Sequence, residues 1–377
     1  MSINPKKVKT ILGKNILADG FDPIIDLEKS HGSWLVDHRY GEEYLDMFSM
    51  YASGAVGYNH PYIVKHQDIL GKLSVNKTTL SDIYNTYYAE FIEVFNKTAI
   101  PKNLKHAFFI DGGSLAVENA LKAAFDWKKR HNLIKGSKKE GDKVIYFNQA
   151  FHGRSGYTLT LTNTSDPRKT MYFPKFPWFK IDNPYLEFPI NETSLQKTID
   201  HEKKVINSIE KIVNKNKDDI AALIIEPIQG EGGDNHFRDE FMVALRAICD
   251  DNDIIFIFDE VQTGIGITGK MWAHEHFVLN KDIIVKPDII SFGKKSQVCG
   301  VLAGDRVLSV ENNVFKESSR INSTFGGNLV DMVRFKIILD TIEKYSLLDN
   351  AKDNGDYLLN QIQSLESSFP GFVSNSR

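Results

Sequence analysis

The run Ile254-Ile255-Phe256-Ile257-Phe258-Asp259-Glu260 decides how this chain folds. Its β-branched and aromatic residues follow one another with no polar alternation, so the strand they form is covered on both faces. Working outward, Ala107-Phe108-Phe109-Ile110, Val144-Ile145-Tyr146-Phe147, Ala222-Leu223-Ile224-Ile225 and Ile289-Ile290 read the same way, and helical patterns separate them. That alternation predicts βαβ units and an α/β domain built on a mainly parallel sheet. Most of the runs end in a polar or glycine-rich cluster: Asp111-Gly112-Gly113-Ser114, Asn148 through Arg154, Glu226-Pro227, Asp259-Glu260 and Gly293-Lys294. Ligands of open α/β sheets bind outside the carboxyl ends of the strands, so five such clusters predict one shared site.

The bulk properties set the frame. A chain of 377 residues exceeds the usual single domain, so two are expected. With 42% apolar and 25% charged residues and a net charge of -3, nothing calls for a nucleic acid or a membrane surface as partner. Cys249 and Cys299 sit in or beside apolar runs and are expected to be buried free thiols. No apolar run follows the charges of Met1-Ser2-Ile3-Asn4-Pro5-Lys6-Lys7, and no stretch approaches the roughly 20 apolar residues that cross a bilayer, so a cytoplasmic enzyme is expected. The Lys/Asn/Asp-rich patch from Lys203 to Asp219 reads as a solvated helix face. Helices are predicted from Leu329 to Glu343 and from Asp349 to Glu366, and a hairpin pairs Trp34-Leu35-Val36 with Tyr44-Leu45-Asp46. Residues 1–53 are expected to pack with a small domain whose start lies in residues 329–377, leaving residues 54–328 as the large domain. The ending Phe372-Val373-Ser374-Asn375-Ser376-Arg377 reads as the start of a strand, which suggests a truncated product.

The chemistry is carried by a few positions. Gly264-Ile265-Gly266-Ile267-Thr268-Gly269-Lys270 fits two phosphate-binding patterns, but Met271 stands where a P-loop needs Ser or Thr, and five residues separate the strand from the first glycine. The better anion site is Asp111-Gly112-Gly113-Ser114, where the glycines admit a phosphate to the start of a helix and Ser114 can cap that helix or bind oxygen. Asp259 ends the most hydrophobic strand, a costly place for a carboxylate without a cation. A protonated pyridine nitrogen would supply one: at about 4 Å and an effective dielectric near 20 the pair is worth roughly 4 kcal/mol. That equals about three pKa units, enough to keep the ring charged at neutral pH. Lys294 follows a buried strand, where desolvation favours the free amine that condenses with a carbonyl, but its neighbour Lys295 has the same claim. Phe151-His152-Gly153-Arg154 offers a flat ring and a guanidinium fork for a carboxylate, with His152 read as a core histidine. His274 and His276 are two apart, the wrong spacing for one helix face, so no metal site is expected.

Together with Glu226-Pro227-Ile228-Gln229-Gly230-Glu231-Gly232-Gly233, Asp259-Glu260-Val261-Gln262-Thr263-Gly264 and Ser323-Thr324-Phe325-Gly326-Gly327-Asn328, these segments resemble the class III (omega) aminotransferases from about Gly54 to Asn328. The resemblance implies the type I fold of enzymes that depend on pyridoxal 5'-phosphate: a large domain with a seven-stranded, mainly parallel sheet, a smaller α+β domain, and a homodimer with shared active sites. Lys294 falls on the family's cofactor lysine. Gly113, Ser114, Phe151, Glu226, Asp259, Gln262 and Thr324, the last from the partner subunit, fall at positions that bind the cofactor. Arg154, Glu231 and Gln262 fall at positions that meet the substrate, with Glu231 as an acidic gate paired with an arginine. Gly112 replaces a Ser common in the family, and Ile267 an Arg. The form Phe292-Gly293-Lys294-Lys295-Ser296-Gln297-Val298-Cys299-Gly300 resembles the branch that moves the ε-amine of L-lysine to 2-oxoglutarate in lysine catabolism; the sister branch acting on 4-aminobutyrate shares the Lys-Lys pair. A mutase or decarboxylase on the same fold, and an inactive cofactor-binding relic, are the rival readings.

Overall fold

A computed structural model describes residues 3–279 and 283–377, so Met1 and Ser2 lie outside the described residues. Seven strands form the central sheet. With the N-terminal hairpin taken as β1 (Trp34–Val36) and β2 (Glu43–Leu45), they are β3 (His106–Ile110), β4 (Lys143–Phe147), β5 (Phe179–Ile181), β6 (Ile220–Ile225), β7 (Ile255–Asp259), β8 (Ile289–Phe292) and β9 (Cys299–Ala303). Their spatial order is β3-β9-β8-β7-β6-β4-β5. β9 runs antiparallel to both neighbours, and every other pairing is parallel. β6, β7 and β8 are buried at every residue, as continuous apolar runs covered on both faces should be.

Two strands went unread in the sequence. β5 has only three residues, exposes Lys180 and ends the sheet, so its signal is short and mixed. β9 contains Gly300, whose added Cβ would lie 2.3 Å from the carbonyl of Phe108. That close approach excludes a side chain and blanks the pattern there.

The helices that frame the sheet and the site are α1 (Thr86–Thr98), α2 (Gly113–Ile134), α3 (Gly156–Leu161), α4 (Glu192–Lys215), α5 (Asp239–Asp251), α6 (Leu329–Lys344) and α7 (Leu347–Ser368). α2 buries Val117, Leu121 and Ala124 against the sheet. Each such burial contributes on the order of 1.5–3 kcal/mol for a Val or Leu. Lys128 on the same face is buried too. Its ammonium donates to the carbonyl of Asp253 at 2.8 Å, and burial pulls its pKa down to about 8. α4 is the expected helix: it buries Val205, Ile209 and Val213 and turns Lys203, Lys204 and Lys211 outward. Cys249 and Cys299 are buried and unpaired, with burial raising the Cys249 thiol to about 12.

α6 and α7 fall within two residues of their predicted bounds, and the hairpin is shifted by one residue on its second strand. Residues of the N-terminal segment, among them Ser33 and Asp46, line a cavity of about 450 Å³ together with Leu347, Leu348 and Ala351 of α7. The expected strand at Phe372 does not form. An isolated bridge joins Pro370 to Val373, no ladder partner lies beside the segment among the described residues, and Arg377 donates to the carbonyl of Asp234 at 2.9 Å. Without a neighbour to take its hydrogen bonds, apolar sequence alone makes no strand.

Candidate active site

The carboxyl end of β7 sets the floor of the site. Asp259 is 4% exposed and closes a strand with no other polar residue. Its Oδ1 accepts from the Val261 amide at 3.1 Å and from the Ser291 hydroxyl at 3.0 Å. Oδ2 lies 2.8 Å from His152 Nδ1, which must donate because a carboxylate only accepts. Ser291 reaches Asp259 because the parallel pairing of β8 with β7 places the two residues opposite each other. The sequence holds that signal, one serine inside an apolar run, but only the register gives it meaning. The view of His152 as a satisfied core residue needs correction. Nδ1 serves Asp259, while Nε2 is buried with no partner among the described residues.

The anion end is built by α2 and the turn before α3. Gly112 is the N-cap, with a φ of 102° that favours glycine, so Ser114 sits in the first turn and does not cap the helix as the sequence suggested. The Ser114 hydroxyl instead meets Ser155 Oγ at 2.5 Å and Thr158 Oγ1 at 2.6 Å. A Cβ on Gly153 would stand 2.3 Å from Ser114 Oγ, at a φ of 119°, so the two loops touch only because residue 153 is glycine. The α2 N-terminus brings free N–H groups and the positive end of the helix dipole to this corner.

The two candidate lysines diverge. Both follow Gly293, and Lys294 holds a left-handed backbone, φ 53°, the kind of strain found at functional turns. Its Nζ donates to Gln262 Oε1 at 2.7 Å, and burial lowers its pKa against the pull of Asp259, Glu226 and Glu231. Lys295 turns to the other side, where it is 3% exposed and donates to the carbonyls of Gln262 at 2.5 Å and Ala52 at 3.2 Å. Burial, reinforced by the neighbouring charge of Lys294, brings Lys295 down to about 7.

One cavity of about 290 Å³ collects Gly113, Ser114, Phe151, Arg154, Glu226, Asp259, Gln262 and Lys294, together with His152, Gly153 and Val261. Ligand pockets begin near this size, at about 300 Å³. Glu226 is buried; its Oε1 accepts from the Phe151 amide at 2.9 Å, and burial, with Asp259 nearby, raises its pKa well above its ordinary value. Arg154 forms no ion pair with any other described residue. The exposed Thr324 is not part of this cavity within a single chain. Glu231 also stands outside the lining. Where the sequence suggested an arginine partner, its carboxylate pairs with Lys169, a residue that no motif pointed to. The glycine-rich loop after Gln262 contributes nothing to the anion corner, since Lys270 is spent on the carbonyl of Glu275. His274 Nδ1 is held by Glu260 at 2.9 Å.

A buried acid, a desolvated lysine, a phenylalanine and the start of a helix lining one cavity suit a pyridoxal-phosphate enzyme of the aminotransferase kind. The family profile described as aminotransferase class-III matches residues 17–376, and the chain belongs to that family. It is 46% identical to the L-lysine-epsilon aminotransferase of Mycobacterium tuberculosis over 99% of its own length and 82% of that protein. It is 42% identical to the same-named enzyme of Streptomyces clavuligerus over 100% and 81% of the two chains. The 4-aminobutyrate aminotransferase of Schizosaccharomyces pombe is 33% identical over 94% and 76%. Among solved structures, a lysine aminotransferase from M. tuberculosis in its internal aldimine form superposes with a TM-score of 0.93 at 47% identity, covering 98% of this chain and 83% of that one. The cofactor of the family is pyridoxal 5'-phosphate, and the residues fit it. The start of α2, with Gly113 and Ser114, lines the same cavity as the buried carboxylate of Asp259.

Proposed function

We propose that the chain transfers the ε-amino group of L-lysine to 2-oxoglutarate, giving 2-aminoadipate 6-semialdehyde and L-glutamate. The observation that carries this reading is Arg154, a guanidinium with no counter-ion among the described residues, in the same cavity as the Lys294 amine. A substrate with a carboxylate at one end and its reacting amine at the other fits between them, and relatives at 42–46% identity are named L-lysine-epsilon aminotransferases.

Pyridoxal phosphate, when bound, supplies an electron sink for the carbon that loses its proton. The chain's own residues do the rest. Gly113 and Ser114 at the start of α2 hold the phosphate, with Thr324 added from the partner subunit of a homodimer. Phe151 would pack against the ring, and Glu226 accepts from the Phe151 amide. Asp259, held by His152 and Ser291, keeps the ring nitrogen charged. Gln262 orients the Lys294 amine, which would carry the proton at the substrate's terminal carbon as general acid and base. Arg154 binds the far carboxylate and so chooses which amine of lysine arrives. Glu231 stands at the entrance as a gate between the two substrates. The large domain of residues 54–328, with the flanking segments 1–53 and 329–377 at its side, would work in the cytoplasm.

The 4-aminobutyrate reading is the second, favoured by the 33% identical relative. Lysine and 4-aminobutyrate offered as competing donors, with 2-oxoglutarate as acceptor, decide between them. Faster turnover of lysine is expected; faster turnover of 4-aminobutyrate moves the assignment.

A further inference from the structure

Glu118 lies in the second turn of α2, half-buried, and the chemistry above gives it no part. Its Oε1 accepts from the Ser155 hydroxyl at 2.7 Å. A Cβ on Gly156 would stand 2.7 Å from the same oxygen, so the start of α3 is shaped to admit this carboxylate. Ser155 in turn meets Ser114 Oγ at 2.5 Å, and Ser114 meets Thr158 Oγ1 at 2.6 Å. These side chains form one file from a carboxylate to the anion corner, and its protons can be counted. A carboxylate only accepts, so the proton between Glu118 and Ser155 belongs to Ser155. A hydroxyl has one proton to give, so the proton in the 2.5 Å contact belongs to Ser114. The proton between Ser114 and Thr158 is then that of Thr158. Thr158 could instead give it to the Ser155 carbonyl at 3.0 Å, but then both short contacts depend on the single proton of Ser114. In either arrangement Ser114 has no proton left for an anion.

That direction matters because the corner beside Ser114 is where the cofactor's phosphate is placed above. The first backbone N–H groups of a helix have no partner within it and are free to serve an anion. A serine hydroxyl beside them adds a charge-assisted bond only if its proton faces the anion. Turning the Ser114 proton that way would set two lone pairs face to face across the 2.5 Å contact with Ser155. We propose that Glu118 is a positioning residue for the cofactor's phosphate: acting through Ser155, it draws the Ser114 proton away and leaves this side of the phosphate to the α2 backbone. The grip on the cofactor is thereby set below its maximum by a residue that touches neither cofactor nor substrate. An amide has N–H groups to give, so Glu118→Gln lets Ser155 accept, Ser155 donate to Ser114, and Ser114 donate to the anion. Ser155→Ala cuts the file with Glu118 still in place and frees the same proton for the charged acceptor, the stronger of those left.

The inference rests on the phosphate lying at the start of α2, and the test separates the two. The purified protein is freed of cofactor and titrated with pyridoxal 5'-phosphate and with pyridoxal, which lacks the phosphate, and Kd is read from the change in absorbance. Glu118→Gln and Ser155→Ala are each expected to tighten pyridoxal 5'-phosphate about tenfold, the usual scale of one charge-assisted contact, and to leave pyridoxal unchanged. Adding Ser114→Ala to Glu118→Gln is expected to abolish the gain. A change shared by the two ligands would mark a merely structural role and overturns the proposal. A gain that survives Ser114→Ala would be bare removal of charge and overturns it as well. Ser114→Asp, which puts a carboxylate at the corner, should weaken pyridoxal 5'-phosphate about tenfold or more against pyridoxal. If Ser114→Asp spares the phosphorylated ligand, the phosphate lies elsewhere and both readings fall. If Ser114→Asp weakens it while Glu118→Gln and Ser155→Ala change nothing, only the role of Glu118 falls.

Discussion

The floor and the mouth of the cavity are built on opposite principles. At the floor, Asp259 is buried and three donors meet its two oxygens, so its direction is fixed. At the mouth, Arg154 has no protein counter-ion among the described residues, and Glu231 and Lys169 share a half-exposed pair that water can enter. A fixed charge in a low-dielectric setting acts strongly on one atom, whereas exposed charges act weakly but can exchange partners. On the proposed function, the floor would serve both half-reactions alike, and the mouth would meet the two substrates differently.

That division predicts a graded series. Asp259→Asn keeps the shape but removes the charge, and the roughly 4 kcal/mol at stake converts to a fall in kcat of about a thousandfold with either substrate. A loss confined to one substrate would contradict the floor's shared role. Arg154→Gln should raise KM for L-lysine by about ten- to a hundredfold, with a smaller change in kcat, because a bidentate partner is lost from ground and transition states alike. Steady-state kinetics on the purified variant checks this, and an unchanged KM would place the donor carboxylate elsewhere.

The smallest effect concerns Lys295, behind the floor. Its pKa falls to about 7 in the fold, so between pH 7 and about 10 the unfolded chain holds more protons than the native one, and stability rises with pH across that window. Lys295→Met removes this group from the balance. Thermal unfolding of the variant at pH 7 and pH 10 should show a smaller gain than the parent, and an identical gain would mean that Lys295 stays charged throughout.

Much of this was legible in the chain. Continuous apolar runs ending in polar clusters gave five of the seven strands and their common edge, because burial on both faces removes alternation. The floor acid could be read since a carboxylate closing Ile255 to Phe258 demands a partner. The partners themselves could not: Ser291 and His152 reach Asp259 through strand register and loop folding, which no local pattern encodes. Two adjacent lysines were chemically equal on paper, and only the turn at Gly293, with Lys294 in a left-handed conformation, sends them to opposite sides. Lys169 left no trace at all, as its place depends on where Glu231 arrives from another loop.

The central claim is that the amine at position 294 holds the cofactor. Borohydride reduction of the holoenzyme, followed by digestion and mass mapping, tests it without any assay of turnover. The account predicts a stable phosphopyridoxyl label on the Lys294 side chain and no yellow protein from Lys294→Ala. A label on Lys295, or a colourless parent protein after saturation with cofactor, would contradict it.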